Sequence, residues 1–382
     1  MNIGLTYDLR DDYLAAGYGE EETAEFDRAD TIDRLAEALR ALGHETDRIG
    51  RAPRLIERVA AGDRWDLVFN IAEGLRGYGR ESQVPAILDV YDVPYTFSDV
   101  LTSALTLHKG MAKRVLRDCG VATTPFHEVA TPADLDTLSL PWPLFVKPVA
   151  EGTAKGIDGA SKVTSRGELE AACARIHRQF DQPALVEPFL AGREFTVGIT
   201  GTGAEAVAIG TLEVELIGGA EPHSYTYVNK EQCEELCRYS IAPRPWSLRC
   251  ETLALSAWRA LHCRDGGRVD LRADEAGEVY VMEINPLPGL HPEHSDLPIL
   301  CGHVGMAYVD LIDRIVSSAR RRVDAMNGRR PASARRTTSA LSRETTPSKV
   351  HAVGSAPCGR LSAGDGPIRP ADRPAVAAQS GS

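Results

Sequence analysis

Asp270, Glu283, Asn285 and Arg268 are the residues whose types and spacing point most directly to chemistry. The stretch VYVMEINPLPG, residues 279–289, reads as a buried strand that ends in a carboxylate and an amide two residues apart. Strand side chains alternate faces, so Glu283 and Asn285 point the same way. Pro286 and Pro288 stop the strand, because proline cannot donate to a sheet ladder. The stretch GGRVDLRADEAG just before it forms the other half of a hairpin. A two-residue turn at Ala276 and Gly277 sets Asp270 opposite Glu283 and Arg268 opposite Asn285, and any even-length loop keeps all four on one face. Asp270, Glu283 and Asn285 then offer three hard oxygen donors on rigid strands, which suits Mg²⁺ rather than Zn²⁺. A guanidinium beside such a site suggests phosphate, or a developing oxyanion, between them. The competing reading is an exposed hairpin with solvated charges, and the apolar run VYVM speaks against it.

If phosphate binds there, other cations must converge. Lys147 leaves an apolar strand, PWPLFVKPV, just before the glycine-rich loop AEGTAKGIDGASKV, whose backbone N–H groups can cradle phosphate. No G-x-x-x-x-G-K-[ST] sequence occurs, so this is not a P-loop protein. The four spaced cysteines 233, 237, 250 and 263 lack the tight pairing of a zinc site and read as ordinary thiols. His291 and His294 read as surface or substrate-loop residues rather than metal ligands.

The elements that must position these residues follow from periodicity. NIGLTY is a strand, residues 22–42 have helical spacing ending at Gly43, APRLIERVAAG is a helix and WDLVFNI a buried strand. ESQVPAILDVYDVPYTF reads as a helix and then a strand. This alternation predicts a parallel α/β sheet over residues 1–106. A basic amphipathic helix, HKGMAKRVLRDCG, opens the next region. It is followed by the Lys147 strand, a mobile hairpin-like loop at 151–159, the helix ELEAACARIHRQF and the strand PALVEPFL, giving a unit over 107–185. A meander of strands with the metal hairpin and a closing helix, YVDLIDRIVSSARRR, fills 186–327. Residues 328–382 lack hydrophobic periodicity, are rich in Ala, Arg, Ser, Pro and Gly, and read as a disordered tail.

Composition excludes several classes. A net charge of −11 disfavours non-specific nucleic-acid binding. No apolar run reaches the roughly 18–20 residues a membrane helix needs. The start, MNIGLTYDLRDD, does not resemble a signal peptide, and eight scattered cysteines do not suggest a disulfide framework. A cytoplasmic protein is the expectation.

The order of these segments resembles the ATP-grasp superfamily, and within it the D-alanine–D-alanine ligase family, over about residues 60–325. The resemblance implies an α/β ATP-grasp fold with an N-terminal Rossmann-like domain. It also implies ATP and Mg²⁺, two ions, with Mn²⁺ able to substitute. LTSALTLHKGMAKRVLRDCGV is similar to the family's entry to the ATP-grasp region, with Lys109 matching an ATP-phosphate lysine. PLFVKPVAEGTAKG matches the phosphate strand and flap, through Lys147 and Thr153. LVEPFLAGREFTVG matches the adenine hinge and ribose site, with Glu187, Leu190 and Glu194. YTYVNK carries a further phosphate lysine, Lys230. GRVD with MEINPLPG matches the metal and oxyanion segment: Asp270, Glu283 and Asn285 on the metals, Arg268 and the Gly289 N–H at the tetrahedral intermediate. The implied reaction is carboxylate attack on the γ-phosphate, then attack of an amine on the acyl phosphate. Small-molecule amino-acid, carboxylate and amine substrates and a homodimer are implied with it.

Three departures fall on substrate regions. The family's Gly-Gly-x-Ser-x-Glu segment, whose Glu holds a substrate amino group, is replaced by TYDLRDDYLAAGYGEEETAEF, where Glu25 is the match by distance. Its His-Gly and Gly-Glu-Asp-Gly loop reads NIAEGLRGYGRES, and its substrate-carboxylate segment reads GLHPEHSDLP, where His294 and Ser295 match. These departures leave open an amino acid or small carboxylate other than D-alanine. An ATP-binding protein without ligase activity, and an ATP-grasp enzyme with a phosphorylated or carboxylated product, are the competing functions.

Overall fold

The computed structural model describes residues 1–221, 226, 228, 229 and 232–329. Two short buried strands and a polar edge strand, beside amphipathic helices, build a parallel sheet in the order β2-β1-β3, from β1 (Asn2–Thr6), β2 (Glu45–Arg48) and β3 (Leu67–Asn70). Helix Ala29–Ala41 buries Ile32, Leu35 and Leu39 against it, and helix Tyr308–Arg329 brings Leu311, Ile312 and Ile315 from the other end of the chain into the same core. At about 25 cal/mol per Å² of apolar surface, such burial is what holds these amphipathic helices in place.

Two antiparallel sheets follow. The first has the order β4-β7-β5-β6, from β4 (His127–Val129), β5 (Leu144–Pro148), β6 (Lys162–Val163) and β7 (Ala184–Pro188), and helix Arg166–Phe180 packs on it. The second has the order β10-β9-β8-β11-β12, from β8 (Glu194–Thr200), β9 (Val207–Leu216), β10 (Cys237–Ile241), β11 (Gly266–Ala273) and β12 (Val279–Asn285). Helix Arg244–Ala260 covers this sheet with the fully buried Trp258, whose indole N–H donates to the Gly201 carbonyl at 3.2 Å.

Several expectations need correction. The helix expected over 22–42 begins only at Ala29. Asp27 N–H donates to the Asp8 carbonyl and Arg10 N–H to the Asp27 carbonyl, which holds residues 26–28 alongside the end of β1 instead of letting them coil. The strand expected after helix Gln83–Val90 is only a bridge between Tyr95 and Val68. The glycine-rich stretch 151–159 forms turns rather than a hairpin. Helices Arg244–Ala260 and Asp296–His303 were not anticipated. The closing helix extends to Arg329, and residues 330–382, including nearly all of the expected tail, lie outside the described residues. Among the described residues no helix is long and apolar enough to cross a membrane.

Asp265, fully buried, ties the regions together. It accepts hydrogen bonds from Phe97 N–H at 2.8 Å, the Ser318 hydroxyl at 2.9 Å and Arg322 Nη2 at 2.7 Å. Replacing it removes an acceptor shared by all three and leaves the largely buried Arg322 guanidinium without this counter-charge, still donating to the Tyr95 carbonyl. Asp265→Ala is therefore expected to lower unfolding free energy by about 3–5 kcal/mol, read from the urea midpoint of the full chain at pH 7; a loss under about 1 kcal/mol would show that the clasp is not structural.

Candidate active site

The hairpin holds its four polar residues in the expected register by a different route. Arg268 pairs with Asn285 and Asp270 with Glu283, but beyond them Leu271 pairs with Val281 and Ala273 with Val279. The turn is not the two-residue one. Asp274 N–H bonds the Glu278 carbonyl at 2.9 Å across three residues, with Gly277 in the left-handed region at φ +82°. An odd loop would turn Glu283 and Asn285 to the opposite face. A bulge at Met282, one extra residue on β12, restores them.

On that face the side chains converge. Asn285 Nδ2 lies 3.2 Å from Asp270 Oδ2 and 3.5 Å from Glu283 Oε1, and Thr196 Oγ1 donates to Asp270 Oδ1 at 2.9 Å. Arg268 pairs with Asp270 and reaches Asp296 at 3.7 Å, while Lys109 Nζ is 3.4 Å from Glu283. Burial alone would lower the basicity of Arg268, but Asp270, Asp296 and Glu283 outweigh it and keep the guanidinium charged. Among the described residues no group of three His, Cys, Asp or Glu side chains is arranged for a metal. Two carboxylates and an amide around one point are nonetheless hard oxygen donors that fit Mg²⁺, with phosphate and water completing the coordination.

A narrow cleft runs from this face between the two antiparallel sheets. It is lined by Lys109, Lys147, Glu187, Leu190 and Glu194, so these expected residues meet in one place. Glu187 is fully buried, 2.6 Å from Lys113 Nζ and 2.8 Å from Lys147 Nζ. Burial would raise its carboxyl, but the two lysines prevail and hold it at about 2. Glu194 sits 3.2 Å from Arg272. Phe145, Phe189, Ile157 and Met282 supply an apolar wall. The remaining void is about 100 Å³, less than the roughly 300 Å³ at which ligand pockets begin.

On the other side of Arg268 lies a cavity of about 600 Å³. Thr153, Gly289, His294 and Ser295 line it, as does Glu25. Ser295 Oγ accepts from His291 N–H at 3.0 Å, and the His291 and His294 rings stack at 4.5 Å. A Cβ on Gly289 would stand 2.7 Å from Ser295 Oγ, so a side chain there would displace the Ser295 hydroxyl. Glu25, on the cavity wall, is also held by cations distant in sequence. Both its oxygens accept from Arg80 Nη2 at 3.0 Å, Lys155 Nζ is 3.2 Å away, and Gly152 N–H donates to it. Burial would raise its carboxyl, yet Arg80 and Lys155 keep it low. Lys155 also pairs with Glu151, so the loop 150–156 is fastened over the cleft. Lys230 lies outside the described residues.

Sequence reasoning missed Lys113, Arg80, Lys155 and Asp296. Lys113 stands one helical turn from Lys109, a spacing that put both on one face, and Phe145 shares the face of Lys147. Arg80 and Lys155 had no such signal, because their partner Glu25 is distant in sequence.

Residues 115–317 match the family model described as D-ala D-ala ligase C-terminus. The chain is 35% identical to the D-alanine–D-alanine ligase of Bordetella petrii over 236 residues, 61% of this chain and 70% of that one. It is 34% identical to that of Bordetella avium over 245 residues, 63% and 74% of the two chains. The fold is similar to that of the D-alanine–D-alanine ligase from Bacillus anthracis complexed with ATP, with a TM-score of 0.63 at 23% identity over 84% of this chain and 97% of that one. The ordered convergence of the two lysines, the paired-strand carboxylates and the arginine agrees with these matches: the chain belongs to the D-alanine–D-alanine ligase family.

Proposed function

We propose that this protein is an ATP-dependent ligase that joins a carboxylate to an amine through an acyl phosphate, releasing ADP and phosphate. The observation that carries this reading is one polar face, Arg268, Asp270, Glu283 and Asn285, set between a cation-lined cleft and a cavity large enough for small amino acids. D-alanine, which gives the relatives their name, is the reference substrate. The departures around Glu25 and residues 289–298 keep other amino acids and small carboxylates within the proposal.

In this reading the apolar wall of the cleft packs on the base, Glu194 faces the ribose, and Lys109 and Lys147 neutralise phosphate oxygens. Lys230 serves as a further phosphate lysine. Asp270, Glu283 and Asn285 would hold Mg²⁺ or Mn²⁺, two ions, and when bound the metal offsets charge on the transferred phosphoryl group. A substrate carboxylate oxygen attacks the γ-phosphorus and ADP leaves. An amine then attacks the acyl carbon and phosphate leaves. Arg268 and the Gly289 N–H stabilise the oxyanion between those last events, with His294 and Ser295 at the acceptor end. Thr153 belongs to the flap, and the loop around it must withdraw to admit a nucleotide and return to exclude water from the acyl phosphate. We read residues 1–106, 107–185 and 186–327 as the three working units. A homodimer and a cytoplasmic setting complete the proposal.

Two results test it. With Mg-ATP and a panel of amino acids, ADP release should depend on an amine acceptor, and mass spectrometry should find the ligated product; tight ATP binding without turnover would favour the non-ligase alternative. Glu283→Gln keeps the shape but loses a charge that faces Lys109. Its turnover should fall by at least about 100-fold, the several kcal/mol a catalytic metal contributes, while the melting temperature stays within a few degrees. Undiminished ADP production would remove Glu283 from the metal site.

A further inference from the structure

The turn over residues 289–295 carries His294 and Ser295, and one side chain in it touches both. His291 Nδ1 accepts from the backbone N–H of Glu293 at 3.1 Å and of His294 at 3.2 Å. Its own N–H donates to Ser295 Oγ at 3.0 Å, and its carbonyl accepts from Ser295 N–H at 3.1 Å. Its ring stacks on that of His294. Because Nδ1 receives two donors, the ring proton belongs on Nε2, which donates to Asp30 Oδ2 at 3.2 Å. Asp30 is braced in turn: its other oxygen accepts from Thr31 N–H at 2.9 Å, in the first turn of helix Ala29–Ala41. The stem of the turn is fixed separately, since Leu290 is buried and its carbonyl accepts from the Tyr308 hydroxyl at 2.9 Å. Ser295 shows what the arrangement gives up. It is the N-cap residue of helix Asp296–His303, where a serine oxygen ordinarily accepts from an N–H two or three residues on. No such bond is made. The hydroxyl is turned back to His291 N–H, beside Gly289, so the helix forgoes a cap to place it there.

We propose that His291, aimed by Asp30, is a positioning residue for the amine acceptor: it holds His294 and Ser295 where the second substrate must present its nitrogen to the acyl carbon. This rests on the ligase reading and goes beyond it, because it separates a residue that serves the second half of the reaction from those that serve the first. The location favours that half. His291, His294 and Ser295 all line the larger cavity, and none of them lines the nucleotide cleft. The sequence favours the pairing. His291 falls in GLHPEHSDLP, which departs from the family's pattern, and Asp30 follows closely on the other departing stretch, which ends at Phe26. The hydrogen bond between His291 and Asp30 joins these two regions across the cavity wall. The carboxylate is largely exposed while the ring it meets is mostly covered, so the contact orients the ring more than it adds stability.

The test uses the full chain with Mg-ATP and D-alanine, with and without hydroxylamine. Hydroxylamine nitrogen attacks the acyl carbon of the acyl phosphate and loses a proton to solvent, and phosphate leaves with the electrons of the broken C–O bond. The hydroxamate so formed reports the first half of the reaction without an acceptor amino acid. In competition at fixed concentrations, His291→Ala should lower the ratio of ligated product to hydroxamate by about 10-fold or more. ADP release under saturating hydroxylamine and the ATP KM should stay within roughly twofold, and raising D-alanine should restore the ligated product, as a binding defect requires. Asp30→Ala, at an exposed carboxylate, should lower the ratio by about threefold, and the double variant should be no worse than His291→Ala. His291→Asn, which keeps an oxygen acceptor for the two N–H groups, should recover part of the loss. A melting curve checks that each variant is folded. The inference is overturned if His291→Ala keeps the ratio within roughly twofold, if hydroxamate and ligated product fall together, or if the effects of Asp30→Ala and His291→Ala simply add. If wild type makes neither product from any amino acid of the panel, the ligase reading fails and this inference falls with it; a wild type that makes both, matched by the variants, removes this inference alone.

Discussion

A carboxylate shut away from water between two lysines is the interaction on which the cleft depends. Glu187 comes from β7, Lys147 from the neighbouring β5 and Lys113 from helix Lys109–Asp118, so one charge fixes three elements. Thr124 adds a hydroxyl donor to it. A lone buried carboxylate would be untenable, and two buried lysines would be worse. Together they form a set with one surplus positive charge, carried by a residue that opens on the cleft. That surplus is what a phosphate requires, and it is present before any phosphate arrives.

The same arithmetic repeats on the facing sheet with the opposite sign. Asp270 and Glu283 on that sheet, with Asp296 at the start of helix Asp296–His303, outnumber Arg268, and Lys109 leans across to Glu283. Each wall thus lacks what the other supplies, and a metal-bound polyphosphate brings both signs at once. Electrostatic complementarity of this kind is preorganised by backbone pairing, so little reorganisation is left for the reaction itself. The bulge at Met282 belongs to this design, since it turns an odd-length hairpin into one whose polar residues still share a face.

The longer apolar strands were legible in the sequence, because apolar runs of four to eight residues bounded by glycine and proline leave few alternatives, whereas the short or polar strands Glu45–Arg48, His127–Val129, Lys162–Val163 and Cys237–Ile241 carry no such run. The face shared by Asp270, Glu283 and Asn285 was legible for the same reason, since period-two alternation survives an error in the turn when a bulge compensates. What was hidden depends on long-range pairing. Residues 22–28 have helical spacing, and only the hydrogen bonds between Asp27, Asp8 and Arg10 show why they do not coil. Nothing local in the sequence marks Arg80 or Lys155 as the partners of Glu25. Local pattern sets elements; which charges meet is decided by topology.

The loop over the cleft holds tension. Thr153 and Ala154 both stand at positive φ, +48° and +56°, where residues with a Cβ are uncomfortable. Gly152, just before them, has no room for a side chain, since a Cβ would meet Glu25 Oε1 at 2.4 Å. The closed shape is therefore not what this backbone prefers by itself; Lys155, gripping Glu25 and Glu151, keeps it down. Such a latch is sprung: once the ammonium lets go, backbone relaxation works in favour of opening, and each closing must wind it again.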